Sequence, residues 1–345
     1  EITTYENGYA ETDLLYLGKY EIMEITASFG YVRNPEIKAV ELTYAGQEIA
    51  VKDTINTTFV NDYQGIEISL EKLIESDEKY GISAENGYKN VRFGLFADEE
   101  IIAADGTSIP ENGLIAEVSL GEDMKAVFAE KLPFARYYVQ EISTDEHYIL
   151  NGEKYLVNFE YMGQDMATVS VDCGQFVNEL KRGTVKGIKV NESDEPLENA
   201  LFGLFNTDCT EFTEDNAIVT AKSDKQGKFE FEEVPYGEYI VREIAAPTGY
   251  ILSDESYPVK ISEDGEIVEI TAINKPVTVE ISKRDVHGNE LVGAEMELIN
   301  SDGESVDKWT SDGKNHVISR LSTGKYVLKE VAAPDGYVIA TDIEF

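Results

Sequence analysis

The chain has 345 residues, with 67 acidic against 29 basic side chains and a formal net charge of −38. That excess argues against nucleic acid as a partner, because phosphate binding runs on Lys and Arg, and it implies a soluble, self-repelling surface. No apolar run reaches the length of a membrane span, and the chain is long enough for two to four domains with sizeable cores. His147, His287 and His316 sit in separate segments, and Cys173 and Cys209 lack metal-ligand spacing, so neither a metal, a cofactor nor a disulfide is expected. Cys173-Gly-Gln175 matches an internal thioester over three residues only, too short a signal to use. No secretory or sorting signal is recognisable, so the sequence reads as an internal piece or a trimmed mature chain.

Short runs rich in Val, Ile, Tyr, Phe and Thr alternate with Asp/Asn/Gly/Ser turns throughout, which predicts an all-β array of tandem immunoglobulin-like sandwiches. Residues 1–64 hold Ala39-Val-Glu-Leu-Thr43 and Asn56-Thr-Thr-Phe-Val-Asn61 and are read as the C-terminal part of a domain. Residues 65–181 open with Ile66–Ile74, whose alternation suits a strand although a helix is conceivable, and include a long insertion at 97–135. Residues 182–276 run from Thr184-Val-Lys-Gly-Ile-Lys189 through Ala200–Phe205 to Ala272-Ile-Asn274, with Tyr257-Pro-Val-Lys260 an ordinary strand. Residues 277–345 open with Val277–Lys283 and stop before a last strand.

One frame recurs in each unit. Tyr239-Ile-Val-Arg-Glu243-Ile-Ala-Ala-Pro247-Thr-Gly249-Tyr250 returns as Tyr326-Val-Leu-Lys-Glu330-Val-Ala-Ala-Pro334-Asp-Gly336-Tyr337. Looser copies are Tyr20 to Tyr31 around Glu24 and Tyr137 to Tyr148 around Glu141, the latter departing at Asp145 and His147. Each places a Tyr four residues before the Glu and another seven after it. Strand periodicity puts Tyr239, Val241 and Glu243 on one face, so a Tyr that enters the core takes the carboxylate with it. A buried carboxylate is costly without a partner. Aligning the units adds Lys72, Lys189 and Lys283 on first strands, and Asn61, Asn178 and Asn274 near the ends. Taken singly, each Lys reads as a solvated strand residue and each Asn as a turn residue, and Lys186 competes with Lys189 for the inward position.

The constellation resembles the collagen-adhesin B-type, or SpaA-like, repeats of Gram-positive surface proteins and pilins, and the Tyr-x-x-x-Glu-x-x-Ala-Pro-x-Gly-Tyr stretch resembles their E-box. The resemblance is stronger over 182–345 than over 1–181. It implies a prealbumin-like sandwich in which Lys and Asn join as an intramolecular isopeptide bond assisted by Glu. The implied triads are Lys72, Glu141, Asn178 and Lys189, Glu243, Asn274. Residues 1–64 supply only Glu24 and Asn61, and residues 277–345 only Lys283 and Glu330. Burial disfavours the charged form of both Lys and carboxylic acids. A neutral Glu would then donate to the Asn oxygen while an uncharged amine attacks, and would pass a proton to the departing ammonia.

The resemblance implies a structural stalk of an adhesin or pilus-like protein, not a turnover enzyme, attached to the wall at the outer surface of a Gram-positive cell. Its expected partners are neighbouring domains of the same surface protein. Two other readings stay open: a module binding host matrix or glycan through the 97–135 insertion, and accessory domains of a larger secreted enzyme.

Overall fold

The structure, a computed structural model, describes residues 1–44, 46, 54–84, 87–103 and 106–345. It contains two compact units, one of Glu1–Glu75, Ala84–Glu146 and Leu150–Glu179, the other of Ser76–Ser83, His147–Ile149 and Leu180–Phe345. Strands supply the regular structure of the described residues, apart from one short helical turn at Glu78–Tyr80.

In the first unit, Gly18–Met23 pairs antiparallel with Ile37–Leu42. Residues 56–61 belong to no strand. Gly65–Ile74 is a strand, and its burial alternates so that Ile66, Ile68, Leu70 and Lys72 all turn inward. It is the middle of a three-stranded sheet, antiparallel to Lys125–Glu130 and parallel to Thr168–Asn178. A four-stranded sheet faces it, in the order Tyr155–Asn158, Arg136–Ser143, Arg92–Ala97, Leu114–Ser119. Phe93, Val139, Phe128 and Phe176 fill the space between them. Within the 97–135 insertion, Leu114–Ser119 and Lys125–Glu130 are members of the two sheets, and Ile101–Ile102 pairs with Ser108–Ile109.

The second unit repeats this plan. Lys228–Pro235, Arg182–Asn191 and Ile267–Asn274 form a three-stranded sheet with the first and last strands parallel. Val219–Lys222, Leu201–Asn206, Gly237–Ala245 and Ser256–Ile261 form the four-stranded one. Phe202 stacks on Phe229 with centroids 3.8 Å apart, and Gly187 makes room for that pair. Residues 277–345 carry the same four-stranded sheet, Ser305–Asp312, Val292–Asn300, Tyr326–Ala332, Ile343–Glu344. Opposite it, Thr278–Ile281 pairs with His316–Ser319 alone among the described strands.

The tyrosine that opens each frame has one role throughout. Its hydroxyl donates to the carbonyl four residues upstream: Tyr20 to Tyr16 (2.7 Å), Tyr137 to Pro133 (2.6 Å), Tyr239 to Pro235 (3.0 Å) and Tyr326 to Ser322 (2.8 Å). This is the tyrosine corner of sandwich folds, which fixes the entry of the strand that bears the Glu. Burial pushes the Tyr137 hydroxyl up to about 12 and raises that of Tyr239 as well.

Candidate functional site

Parallel pairing of the first and last strands brings Lys and Asn together. Lys189 pairs with Ala272, so Asn274, two residues on, shares its face and is its diagonal neighbour. Lys72 pairs with Phe176, and Asn178 again lies two residues on. Within Arg182–Asn191 the inward residues are Val185, Gly187 and Lys189, whereas Lys186 is exposed. The central strand of the facing sheet brings Tyr239, Val241 and Glu243 inward, so the carboxylate meets the Lys–Asn pair across the sandwich.

The two complete sets share one geometry. Lys72 Nζ donates to Asn178 Oδ1 (2.5 Å) and lies 3.1 Å from Glu141 Oε1, and Asn178 Nδ2 donates to that same Oε1 (2.9 Å). In the other set Lys189 Nζ donates to Asn274 Oδ1 and lies 3.3 Å from Glu243 Oε1, which accepts from Asn274 Nδ2 at 2.9 Å. The six residues range from 0 to 3% exposed, so water is shut out. Phenyl rings close the sites, Phe93 with its centroid 5.9 Å from Lys72 Nζ and Phe202 5.7 Å from Lys189 Nζ. Burial holds both amines below the usual lysine range, and the nearby Glu only partly opposes it. The carboxylate faces the Asn nitrogen and the Lys nitrogen, and not the Asn oxygen expected from the sequence.

The other carboxylate oxygen has a partner that sequence reading misses. The backbone N–H ten residues after each Glu donates to its Oε2: Asn34 to Glu24 (2.6 Å), Asn151 to Glu141 (2.8 Å), Ser253 to Glu243 (3.0 Å) and Ala340 to Glu330 (2.6 Å). The donor is main chain, so side-chain identity is free to vary and only the spacing records it. Thr144 is a second omission, its Oγ1 accepting from Asn178 Nδ2 at 2.6 Å.

The partial sets differ in what they lack. Asn61 Nδ2 donates to Glu24 Oε2 (2.6 Å) at a half-buried site. Lys283 Nζ donates to Glu330 Oε2 (3.1 Å). Glu330 Oε1 is buried without a hydrogen-bond partner, and it is the counterpart of the atom that accepts from Asn178 and Asn274 elsewhere. Among the described residues no cluster of His, Cys, Asp or Glu could hold a metal, and no helix is long and apolar enough to cross a membrane. Both cysteines are free, and burial pushes the Cys173 thiol up to about 11.

Comparisons with known proteins bear on the fold. No curated protein matches the sequence. Among solved structures, the TIE protein of Bacillus anthracis shares 25% identity over 91% of this chain at a TM-score of 0.54, and this chain spans 52% of it, about half its length. The major pilin subunit BcpA of Bacillus cereus aligns at 16% identity over 81% of this chain and 95% of its own, with a TM-score of 0.41. Residues 183–276 and 277–345 each match the SpaA prealbumin-like fold domain, and this part of the chain is therefore a pair of adjacent SpaA domains within an all-β tandem array.

Proposed function

We propose that the chain is a stalk segment of a Gram-positive surface adhesin or pilus-like protein, outside the cell and wall-attached, that staples two of its sandwiches by Lys–Asn isopeptide bonds. One observation carries this reading: amine, amide and carboxylate touch one another in a dry core, at Lys189, Asn274 and Glu243 and again at Lys72, Asn178 and Glu141.

The chemistry needs no cofactor. The lone pair of an uncharged Lys189 Nζ attacks Cγ of Asn274, forming a new C–N bond. Glu243 Oε1, in contact with both nitrogens, carries a proton from the amine to Nδ2. The C–Nδ2 bond breaks, ammonia leaves, and a secondary amide remains. Desolvation supplies the uncharged nucleophile, and enforced contact replaces activation of the carbonyl. Each site reacts once, as maturation and not turnover. A bond between adjacent parallel first and last strands would stop the sandwich from opening when its ends are pulled. Units that lack one member of the triad would be closed only by a strand from elsewhere.

Intact mass of the folded protein tests the reading. The expected value is lower than the sequence mass by two ammonia molecules, and Glu243→Ala restores one of them. A mass equal to that of the sequence would eliminate the staples and leave a plain array of β domains.

A further inference from the structure

In three of the four frames the sixth residue after the Glu meets the chain that follows the Asn. In the SpaA pair this residue is Gly249, whose carbonyl accepts the N–H of Val277 at 2.8 Å. Val277 opens the second domain of that pair and lies three residues beyond Asn274. Gly249 has φ +85°, and a Cβ there would come within 2.7 Å of the Arg320 carbonyl oxygen and 3.0 Å of its carbon. Arg320 belongs to the second domain; its own N–H is held by the Val277 carbonyl at 2.8 Å, and its guanidinium meets Glu195 of the first domain at 2.8 Å. The connection thus has both backbone groups of Val277 engaged, and it abuts a glycine whose missing side chain is what permits the approach.

The same contact recurs at the same spacing. The Gly30 carbonyl, six residues after Glu24, accepts from Gln64, three residues after Asn61, at 3.0 Å. A Cβ on Gly30 would lie 3.2 Å from the Phe134 ring. In the frame around Glu141 the position is His147, whose carbonyl accepts from Lys181, three residues after Asn178, at 2.9 Å. Its ring meets that of Tyr236 with centroids 4.6 Å apart, so a side chain there occupies space that glycine leaves open elsewhere. In the final frame, Gly336 has φ +87° and nothing within 4 Å of where its Cβ would be.

We propose that this position is an interdomain clamp, a role separate from the frame's Glu: it grips the first residue of the following domain, and residues 183–276 and 277–345 turn as one body. A surface ion pair such as Arg320–Glu195 contributes little. The grip comes from the Val277 hydrogen bond and the close backbone approach at Gly249. The clamp holds whether or not any staple forms, since none of its groups belongs to a triad.

Residual dipolar couplings on the full chain test it. In the wild type, one alignment tensor is expected to fit the strand amides of both domains. Gly249→Ala should require two, because the methyl group forces Arg320 away. Gly336→Ala carries the same positive-φ strain without a neighbour, and should still need one. Two tensors in the wild type, with both sets of strand amides well folded, would overturn the proposal. So would a single tensor in folded Gly249→Ala, or equal loosening by the two variants. If Gly249→Ala does not fold, the wild-type measurement decides by itself.

Discussion

Replacing Glu243 by glutamine changes one atom type at the centre of a buried site, and its cost can be worked through. Oε2 accepts from Ser253 N–H at 3.0 Å, while Oε1 faces Asn274 Nδ2 at 2.9 Å and Lys189 Nζ at 3.3 Å. An amide side chain has a single oxygen. Directed at Ser253, it turns its NH2 against two other nitrogens; directed at the triad, it leaves the Ser253 N–H facing a second donor. Either way one buried polar group goes unsatisfied, at about 1–3 kcal/mol. With no proton carrier the staple does not form, and the chain-entropy model assigns about 4.5 kcal/mol to closing a loop across the separation of 85 residues between Lys189 and Asn274. The two contributions come to about 6 kcal/mol, and at about 4–8 °C per kcal/mol the melting temperature of residues 183–276 should fall by about 25 °C or more. Scanning calorimetry of Glu243→Gln beside the wild type reads this directly. A shift of only a few degrees, or a variant that still loses both ammonia molecules, would refute the reasoning.

Other consequences can be checked separately. Tyr239→Phe should cost about 1–3 kcal/mol by denaturant unfolding, because the Pro235 carbonyl loses its buried donor while the ring still packs. In Gly187→Ala the new Cβ would lie 2.0 Å from the Phe229 ring, which stacks on the Phe202 that closes the Lys189 site. Overpacking of this kind costs about 1–3 kcal/mol, and the fraction of protein carrying the second ammonia loss should drop as the ring shifts. The amine of Lys189 has a folded pKa below its usual 10.5, so between those two values the unfolded chain binds more protons and stability rises with pH. The Asn274→Ala variant, which has no amide to join, should therefore gain on the double variant Lys189→Met/Asn274→Ala as pH increases toward 10.5, whereas a wild type carrying the proposed amide, which does not titrate, should not. A stability gap independent of pH would contradict the burial argument.

Much of the fold is legible because a few patterns repeat. Alternation in Gly65–Ile74 and Arg182–Asn191 marks strands, and a Tyr four residues before each Glu marks the strand that crosses the core. The alternation also separates Lys189 from Lys186, but only once the inward face is known, since Val185 and Ile188 are both apolar and lie on opposite faces. The two-residue offset that joins Lys189 to Asn274 is a matter of parallel register, which no local pattern encodes. Sequence spacing therefore nominates the residues without saying that they touch. The oxyanion partners at Asn151 and Ser253 escape because a backbone N–H does the work, and the side of the Asn amide that meets the carboxylate depends on both sheets at once. The 97–135 stretch looks like an insertion because its turns are longer than those of the later domain, yet Leu114–Ser119 and Lys125–Glu130 pair where Val219–Lys222 and Lys228–Pro235 do. His147 reads as a defect in the frame when aligned with Gly249; it carries instead a ring contact with Tyr236.

The most direct test is tandem mass spectrometry of a proteolytic digest of the folded, wild-type chain. The account requires a branched peptide in which Lys189 is joined to Asn274 with ammonia missing, and a second joining Lys72 to Asn178. Recovery of the same four residues only in linear, unmodified peptides would contradict it.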